Sequence, residues 1–323
     1  MRRTPALGLA LISLVAAPAA ALAQDVAPTI VASFDPAQGQ LPESFTTDGQ
    51  GNFFFSMNHR VMKLDAGGTL TQLAELPAAS DLVFALGLKL GPDGLLYFAL
   101  ASFSPLDGAS SVWRVSPTTG AAEEFVHLDD TGFPNDLVFD AEGNLFVTDP
   151  FLGRIWRVDP AGNATDWLTD PVLRGDPPGG YLYLHDFGVD GIAFDRNEHR
   201  LYVGNLDHGE IIRIQVRHDG SASAPQVWVR DERLLGADGI TFDRTGTLYV
   251  AVNGQDQVLA IAPSRRISVL AYHGVLDGPS AVVLSPDQRT LYVSNFAISS
   301  AFGTPRSRHP LEPAPSLVSL ELR

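Results

Sequence analysis

Apolar and polar residues alternate along this chain in short runs broken by turns, and one arrangement of them recurs six times. The copies are "PESFTTDGQGNFFFS" from Pro42, "ALGLKLGPDGLLYFA" from Ala85, "PNDLVFDAEGNLFVT" from Pro134, "VDGIAFDRNEHRLYVG" from Val189, "ADGITFDRTGTLYVA" from Ala237 and "PSAVVLSPDQRTLYVS" from Pro279. Each reads as an alternating strand, a polar turn usually carrying Asp or Gly, and a second strand with an aromatic near its middle. A third strand follows in most copies ("HRVMKLD", "SSVWRVS", "GRIWRVD", "GEIIRIQV", "DQVLAIA"), then a fourth ("LTQLAEL", "AAEEFVHL", "ATDWLTD", "APQVWVR", "ISVLAYH"). No copy shows a helical period.

The central aromatics are Phe54, Tyr97, Phe146, Tyr202, Tyr249 and Tyr292, at intervals of 43, 49, 56, 47 and 43 residues. That is the length of a four-stranded propeller blade and too long for leucine-rich or ankyrin units. After its second strand the sixth copy has only "SLVSLEL", Ser316 to Leu322, while "TIVASFD", Thr29 to Asp35, precedes the first copy and resembles the fourth strands. The expectation is an all-β fold, one six-bladed β-propeller whose last blade is completed by the N- and C-terminal strands, leaving no free sheet edge. No linker divides the chain into two domains.

The first 23 residues stand apart from this pattern. Arg2 and Arg3 precede an apolar run rich in Ala and Leu that ends in Ala21-Leu22-Ala23, the form of a secretory signal peptide. The expected organisation is a signal peptide over residues 1–23, a propeller over 24–323, and a periplasmic or secreted location with no membrane span after cleavage. The sequence has 0 cysteines, which removes disulfides, thiol nucleophiles and thiolate metal sites, so the fold must be held by its core. Net charge is −15, or −17 without the two signal arginines, which repels nucleic-acid phosphates and anionic lipid.

In a propeller the entries of the innermost strands converge on the central channel. Counting back eleven residues from each aromatic, or twelve where the turn is one longer, gives Glu43, Leu86, Asn135, Asp190, Asp238 and Ser280. Four are strong oxygen donors and three of those are carboxylates. Asp and Asn also cap local turns, but four on one register argue for a shared site. Two carboxylates about 5 Å apart repel by roughly 3 kcal/mol at an effective dielectric near 20, and three by on the order of 10 kcal/mol. Protonation or a cation must relieve this, and hard oxygen donors without His or Cys favour Ca²⁺ over Zn²⁺. Leu86 and Ser280 are left to face a substrate.

The "D-G-[IL]-x-F-D…L-Y-V" copies, the "PES" opening, "PNDLVFD…GNLFVTDP" and "ADGITFD" together resemble the gluconolactonase and regucalcin (SMP-30) family, and more distantly paraoxonases and diisopropyl fluorophosphatase. The similarity runs through essentially the whole chain after residue 23. It implies a hydrolase of lactones, at times of other esters or phosphotriesters, dependent on Ca²⁺ or another divalent metal such as Zn²⁺ or Mn²⁺. By resemblance Glu43, Asn135 and Asp238 match metal ligands one for one. Asp190 stands where the family usually has Asn, keeping an oxygen donor and adding a charge that bears on metal preference and substrate range.

The leading expectation is a Ca²⁺-dependent lactonase acting on a small-molecule lactone or ester, with Asp238 or Asp190 as base and no choice between them. The alternative is a non-catalytic propeller that binds a ligand or partner; it has no need of three converging carboxylates. His185, just before the fourth inner strand, is a candidate acid, base or substrate contact at the channel mouth. Asp136 and Asp149 also lie near the third ring position, with a strand-terminating role expected of Asp149. "RGDPPGG", Arg174 to Gly180, is a Pro/Gly-rich excursion expected at the rim. A serine-hydrolase elbow G-x-S-x-G does not occur.

Overall fold

The computed structural model describes residues 27–176, 186–297 and 314–322. Its strands form six four-stranded antiparallel sheets, five of them in simple sequence order. The innermost strands are Pro42–Thr47, Val83–Leu90, Leu137–Phe139, Val189–Phe194, Ala237–Phe242 and Pro279–Leu284. Each touches the next, and the sixth returns to the first. The six-bladed propeller foreseen from the repeat is therefore the fold; residues 1–23 lie outside the described ones.

The sixth sheet runs Pro279–Leu284, Thr290–Asn295, Ser316–Glu321, Thr29–Ser33. Its third strand comes from the end of the chain and its outermost from the beginning, as the two orphan strand patterns indicated. Ser33 pairs with Ser316 and Thr29 with Ser319.

Burial explains the composition of the strands. Second strands such as Phe53–Met57, Leu145–Asp149 and Leu248–Val252 are buried along their whole length, being covered by neighbouring blades on both faces. Fourth strands such as Ala122–His127 are largely exposed and carry the charges. The periodic aromatics join one blade to the next. Tyr97 packs edge-on against Phe139 at 5.0 Å between ring centroids, Phe146 against Phe194 at 5.3 Å, Tyr202 against Phe242 at 4.9 Å, and Tyr292 against Phe53 at 4.9 Å. Edge-to-face pairs of this kind add about 1 kcal/mol each beyond the area they bury.

The turns after the inner strands are fixed by the Asp that closes each "F-D". Asp140 Oδ1 accepts from Asn144 N at 2.7 Å and Asp243 Oδ1 from Thr247 N at 2.9 Å. Gly143 and Gly246 take the left-handed conformation such turns require, at φ 82° and 85°.

Candidate functional site

At five of the six inner-strand entries the ladder to the second strand slips. The irregularities fall between Pro42 and Ser44, Ala85 and Leu88, Val189 and Ile192, Ala237 and Ile240, and Pro279 and Ala281. Each spans a ring position. A bulge of this kind leaves a residue unpaired and re-aims its side chain, here toward the channel. In the third blade the strand begins only at Leu137, so Asn135 and Asp136 precede it, held by Asn135 N to Thr148 O at 2.9 Å and Thr148 N to Asp136 O at 3.0 Å.

The residue after each ring position meets the neighbouring blade, which accounts for the repeated D-G. A Cβ on Gly191 would lie 2.1 Å from Asp238 O, one on Gly239 2.6 Å from Ser280 O, and one on Gly87 2.6 Å from Asp136 Cα. At two of the positions that are not glycine, Ser44 and Asp136, the side chain bonds the next blade. Leu88 N donates to Ser44 Oγ at 3.1 Å, and Ile192 N to Asp136 Oδ2 at 3.2 Å. Asp136 Oδ1 also accepts from Leu137 N at 2.8 Å and from Lys89 Nζ at 2.8 Å, so one carboxylate ties blades two, three and four.

Glu43, Leu86, Asn135, Asp190 and Asp238 line one cavity at the channel mouth. The four polar members are between 2% and 8% exposed. Burial, reinforced by Asp190 and Asp136, pushes the Glu43 carboxyl well above the usual carboxylate range, against the pull of Lys89 and Ser56. Asp190 is raised by burial and then by Asp136 and Asp207; Asp238 by burial and then by Asp190, Glu43 and Asp136.

Side chains in or just after the second strands hold the ring from behind. Ser56 Oγ lies 3.5 Å from Glu43 Oε2, Thr148 Oγ1 donates to the Asp190 carbonyl at 2.7 Å, and Asn253 Nδ2 donates to Asp238 Oδ2 at 3.3 Å. Ser280 keeps its ring register, but its hydroxyl donates to the Glu43 carbonyl and lies 3.1 Å from Ser294 Oγ. A buried hydroxyl on so short a side chain takes the nearest acceptor, and that acceptor is backbone. Ser280 lines a smaller void of about 10 Å³ that also takes in Lys89 and Asp136. His185 lies outside the described residues. Asp149 is structural: Oδ1 accepts from Phe133 N and Leu152 N at 2.9 and 3.2 Å, and Oδ2 from Trp156 Nε1 at 3.2 Å.

The ring suits a hard cation by its own chemistry. Asn135 Oδ1 and Asp190 Oδ1 are buried oxygens without a hydrogen-bond partner among the described residues, and an unpartnered buried acceptor is costly. Among the described residues, no three His, Cys, Asp or Glu side chains stand drawn together as a finished metal cage; the fourth donor is an amide and the carboxylates come from three blades. A larger cavity, about 900 Å³, opens on the opposite face between blades three and four. Its Asp140 and Asp219 are engaged by their own turns, through Asn144 and Ser221, and its Glu198 accepts from Ala141 N.

Residues 185–297 match the family described as SMP-30/Gluconolactonase/LRE-like region. A gluconolactonase of Zymomonas mobilis is 27% identical over 191 residues, covering 54% of this chain and 51% of that protein. Lactonase drp35 of Staphylococcus aureus is 26% identical over 198 residues, covering 58% and 56%. The chain thus spans about half the length of the curated relatives it matches. Among solved structures, the calcium-binding protein regucalcin of Agrobacterium tumefaciens superposes with a TM-score of 0.64 at 16% identity, over 91% of this chain and 96% of that one. The resemblance carried by the repeated motif is to this family.

Proposed function

We propose that this chain, a six-bladed propeller resembling the gluconolactonase and regucalcin family, is a divalent-metal-dependent lactonase exported from the cell. The observation that carries the reading is the set Glu43, Asn135, Asp190 and Asp238 on one cavity, with the Oδ1 atoms of Asn135 and Asp190 unpartnered. A hard cation of the calcium class held by these four residues would supply Lewis-acid polarisation of the lactone carbonyl. The family match and the two lactonase relatives support the same activity.

In the reaction one water oxygen bonds to the carbonyl carbon, the ring C–O bond breaks, and a hydroxy acid leaves. In this reading Asp238 takes the water proton and returns it to the departing alkoxide. Asn253 engages only its Oδ2, which leaves Oδ1 for water. Asp190, on the adjoining blade, shares the negative charge of the ring. Thr148 and Ser56 fix the backbone and carboxylate of two ring members and so keep the oxygens from collapsing onto neighbouring blades.

Export rests on Arg2-Arg3 and the apolar run ending in Ala23, and N-terminal sequencing of protein recovered from an expressing cell tests it. Calorimetric titration with Ca²⁺, followed by a pH-stat assay on a panel of lactones, tests the activity. Calcium binding with no hydrolysis of any lactone, ester or phosphotriester would favour the second reading, a ligand-binding propeller, since the fold alone does not fix chemistry.

A further inference from the structure

The same cavity carries information about substrate that the family likeness does not. Apart from the ring oxygens, its walls are Phe84, Leu86, Phe103, Phe133, Phe187 and Phe296. No other polar side chain among the described residues lines it. The phenylalanines come from four blades. Phe84 opens the second inner strand, Phe103 follows Ser102 at the end of that blade's second strand, Phe133 and Phe187 lead into the third and fourth inner strands, and Phe296 follows Asn295.

Four of them, Phe84, Phe103, Phe133 and Phe187, form a continuous wall. Phe84 meets Phe103 edge-on at 5.9 Å, Phe103 meets Phe133 at 4.8 Å, and Phe133 meets Phe187 edge-on at 5.3 Å. Phe151 backs the wall, stacked on Phe133 at 4.8 Å. Phe133, Phe187 and Phe296 are 2%, 4% and 6% exposed, so the wall is packed in place, and Phe84 and Phe103 are partly exposed at its outer part.

The geometry points to a substrate whose reacting carbonyl meets the ring oxygens and whose remainder is apolar: a lactone or ester bearing an alkyl or aryl group, and not a polyhydroxylated sugar lactone. This rests on the hydrolase reading above and narrows it. A sugar lactone carries several hydroxyls, each of which loses water on entering and, beyond the ring oxygens, meets apolar carbon among the described residues. A buried hydroxyl without a partner is costly, whereas an alkyl or aryl group gains on leaving water. Ring faces also offer an aryl substituent the offset and edge contacts already seen among the phenylalanines. Specificity then arises from a polar floor that orients one carbonyl and an apolar wall that rejects hydroxylated competitors, the usual division in small-molecule pockets.

The test uses the full mature chain with Ca²⁺ binding confirmed by calorimetry. Hydrolysis is followed by pH-stat on glucono-δ-lactone, on unsubstituted γ-butyrolactone, and on γ-lactones with alkyl tails of increasing length. kcat/KM is expected to rise by about fourfold for each methylene buried, and to exceed that for glucono-δ-lactone by about 100-fold for the longer tails. Phe103→Ser, at the partly exposed part of the wall, is expected to lower the melting temperature, since it removes ring contacts to Phe84, Phe133, Phe151 and Phe187, and, in protein shown folded at the assay temperature, to cut the tailed-to-untailed ratio by about tenfold. A flat dependence on tail length, or faster turnover of glucono-δ-lactone, overturns the apolar substrate class and leaves the lactonase reading standing. If no lactone is hydrolysed, the lactonase reading fails and binding decides the class. Alkyl lactams, which resist hydrolysis, are then titrated: affinity that grows with tail length and falls in Phe103→Ser upholds an apolar ligand, and affinity indifferent to both overturns it.

Discussion

Lys89 Nζ lies 2.8 Å from Asp136 Oδ1, which places an ammonium group from blade two against the carboxylate that bonds the backbone of blades three and four. The pair sits with Glu43, Asn135 and Asp238 around the small void below the ring. Lys89 is 28% exposed and Asp136 8%, so water screens the pair only in part.

Lys89→Met removes the ammonium and leaves Asp136 buried without a counter-charge. The expected cost is about 2 kcal/mol in urea denaturation, below the usual figure for a broken buried pair because Lys89 still touches solvent. Ca²⁺ affinity in the folded variant should rise several-fold, since a positive charge near the ring has gone. Weaker calcium binding in a fully folded Lys89→Met would separate this pair from the ring.

The metal-free protein should lose stability as pH rises. Glu43, Asp190 and Asp238 all have their carboxyls raised, first by burial and then by neighbouring carboxylates. A group whose folded-state pKa lies above its unfolded value stabilises below the ordinary carboxylate range, and that contribution fades as pH climbs through the raised values. With chelator present, the melting temperature at pH 8 should therefore be lower than at pH 5.5, and saturating Ca²⁺ should remove the difference. A melting temperature that instead increases with pH in chelator contradicts this account of the ring.

Asp190→Asn takes one charge from the ring at nearly constant shape. Metal affinity should fall by about tenfold, or roughly 1.4 kcal/mol, while the chelated protein becomes more stable because less repulsion is buried. Unchanged affinity by calorimetry would show that Asp190 does not reach the cation.

Asp238→Asn should lower turnover by at least about 100-fold, the usual contribution of a general base, with calcium occupancy verified in the variant. Full activity in the metal-loaded variant would transfer the role to Asp190.

Gly191→Ala places a methyl carbon 2.1 Å from Asp238 O, a backbone atom of the adjoining blade that cannot move without shifting a ring residue. A loss above about 3 kcal/mol is expected, visible as a large fall in melting temperature. A near-native melting temperature would mean that blades four and five can separate at this level.

The blades could be read from the chain because each repeats one local pattern, strand, Asp-containing turn and buried aromatic second strand, and because Tyr97, Phe146 and Tyr202 recur where each blade must meet its neighbour. The ring could be read by counting, since Glu43, Asn135, Asp190 and Asp238 occupy one register and line one cavity. The rest depends on contacts between blades. Lys89 and Asp136 are 47 residues apart and no local pattern joins them; the signal at Asp136 was only its place beside Asn135. Asn253, just past the end of a second strand, shows no sequence mark of its hold on Asp238. The phenylalanine wall gathers residues from four blades that in sequence read as ordinary core. Ser280 shows the limit of counting: register fixes where the backbone passes, and the nearest acceptor fixes where a short hydroxyl points.

The strand pairing of Ser33 with Ser316 sets an order of events for the chain's manufacture. Among the described strands Thr29–Ser33 precedes all the others and its partner Ser316–Glu321 follows them all, so the circle cannot shut until that last strand has been made. Until then two adhesive strand edges stay open, and any nascent product halted before Ser316 is left as an arc prone to joining other arcs. An insertion grafted between Asp35 and Pro42 would burden the joint on which closure depends.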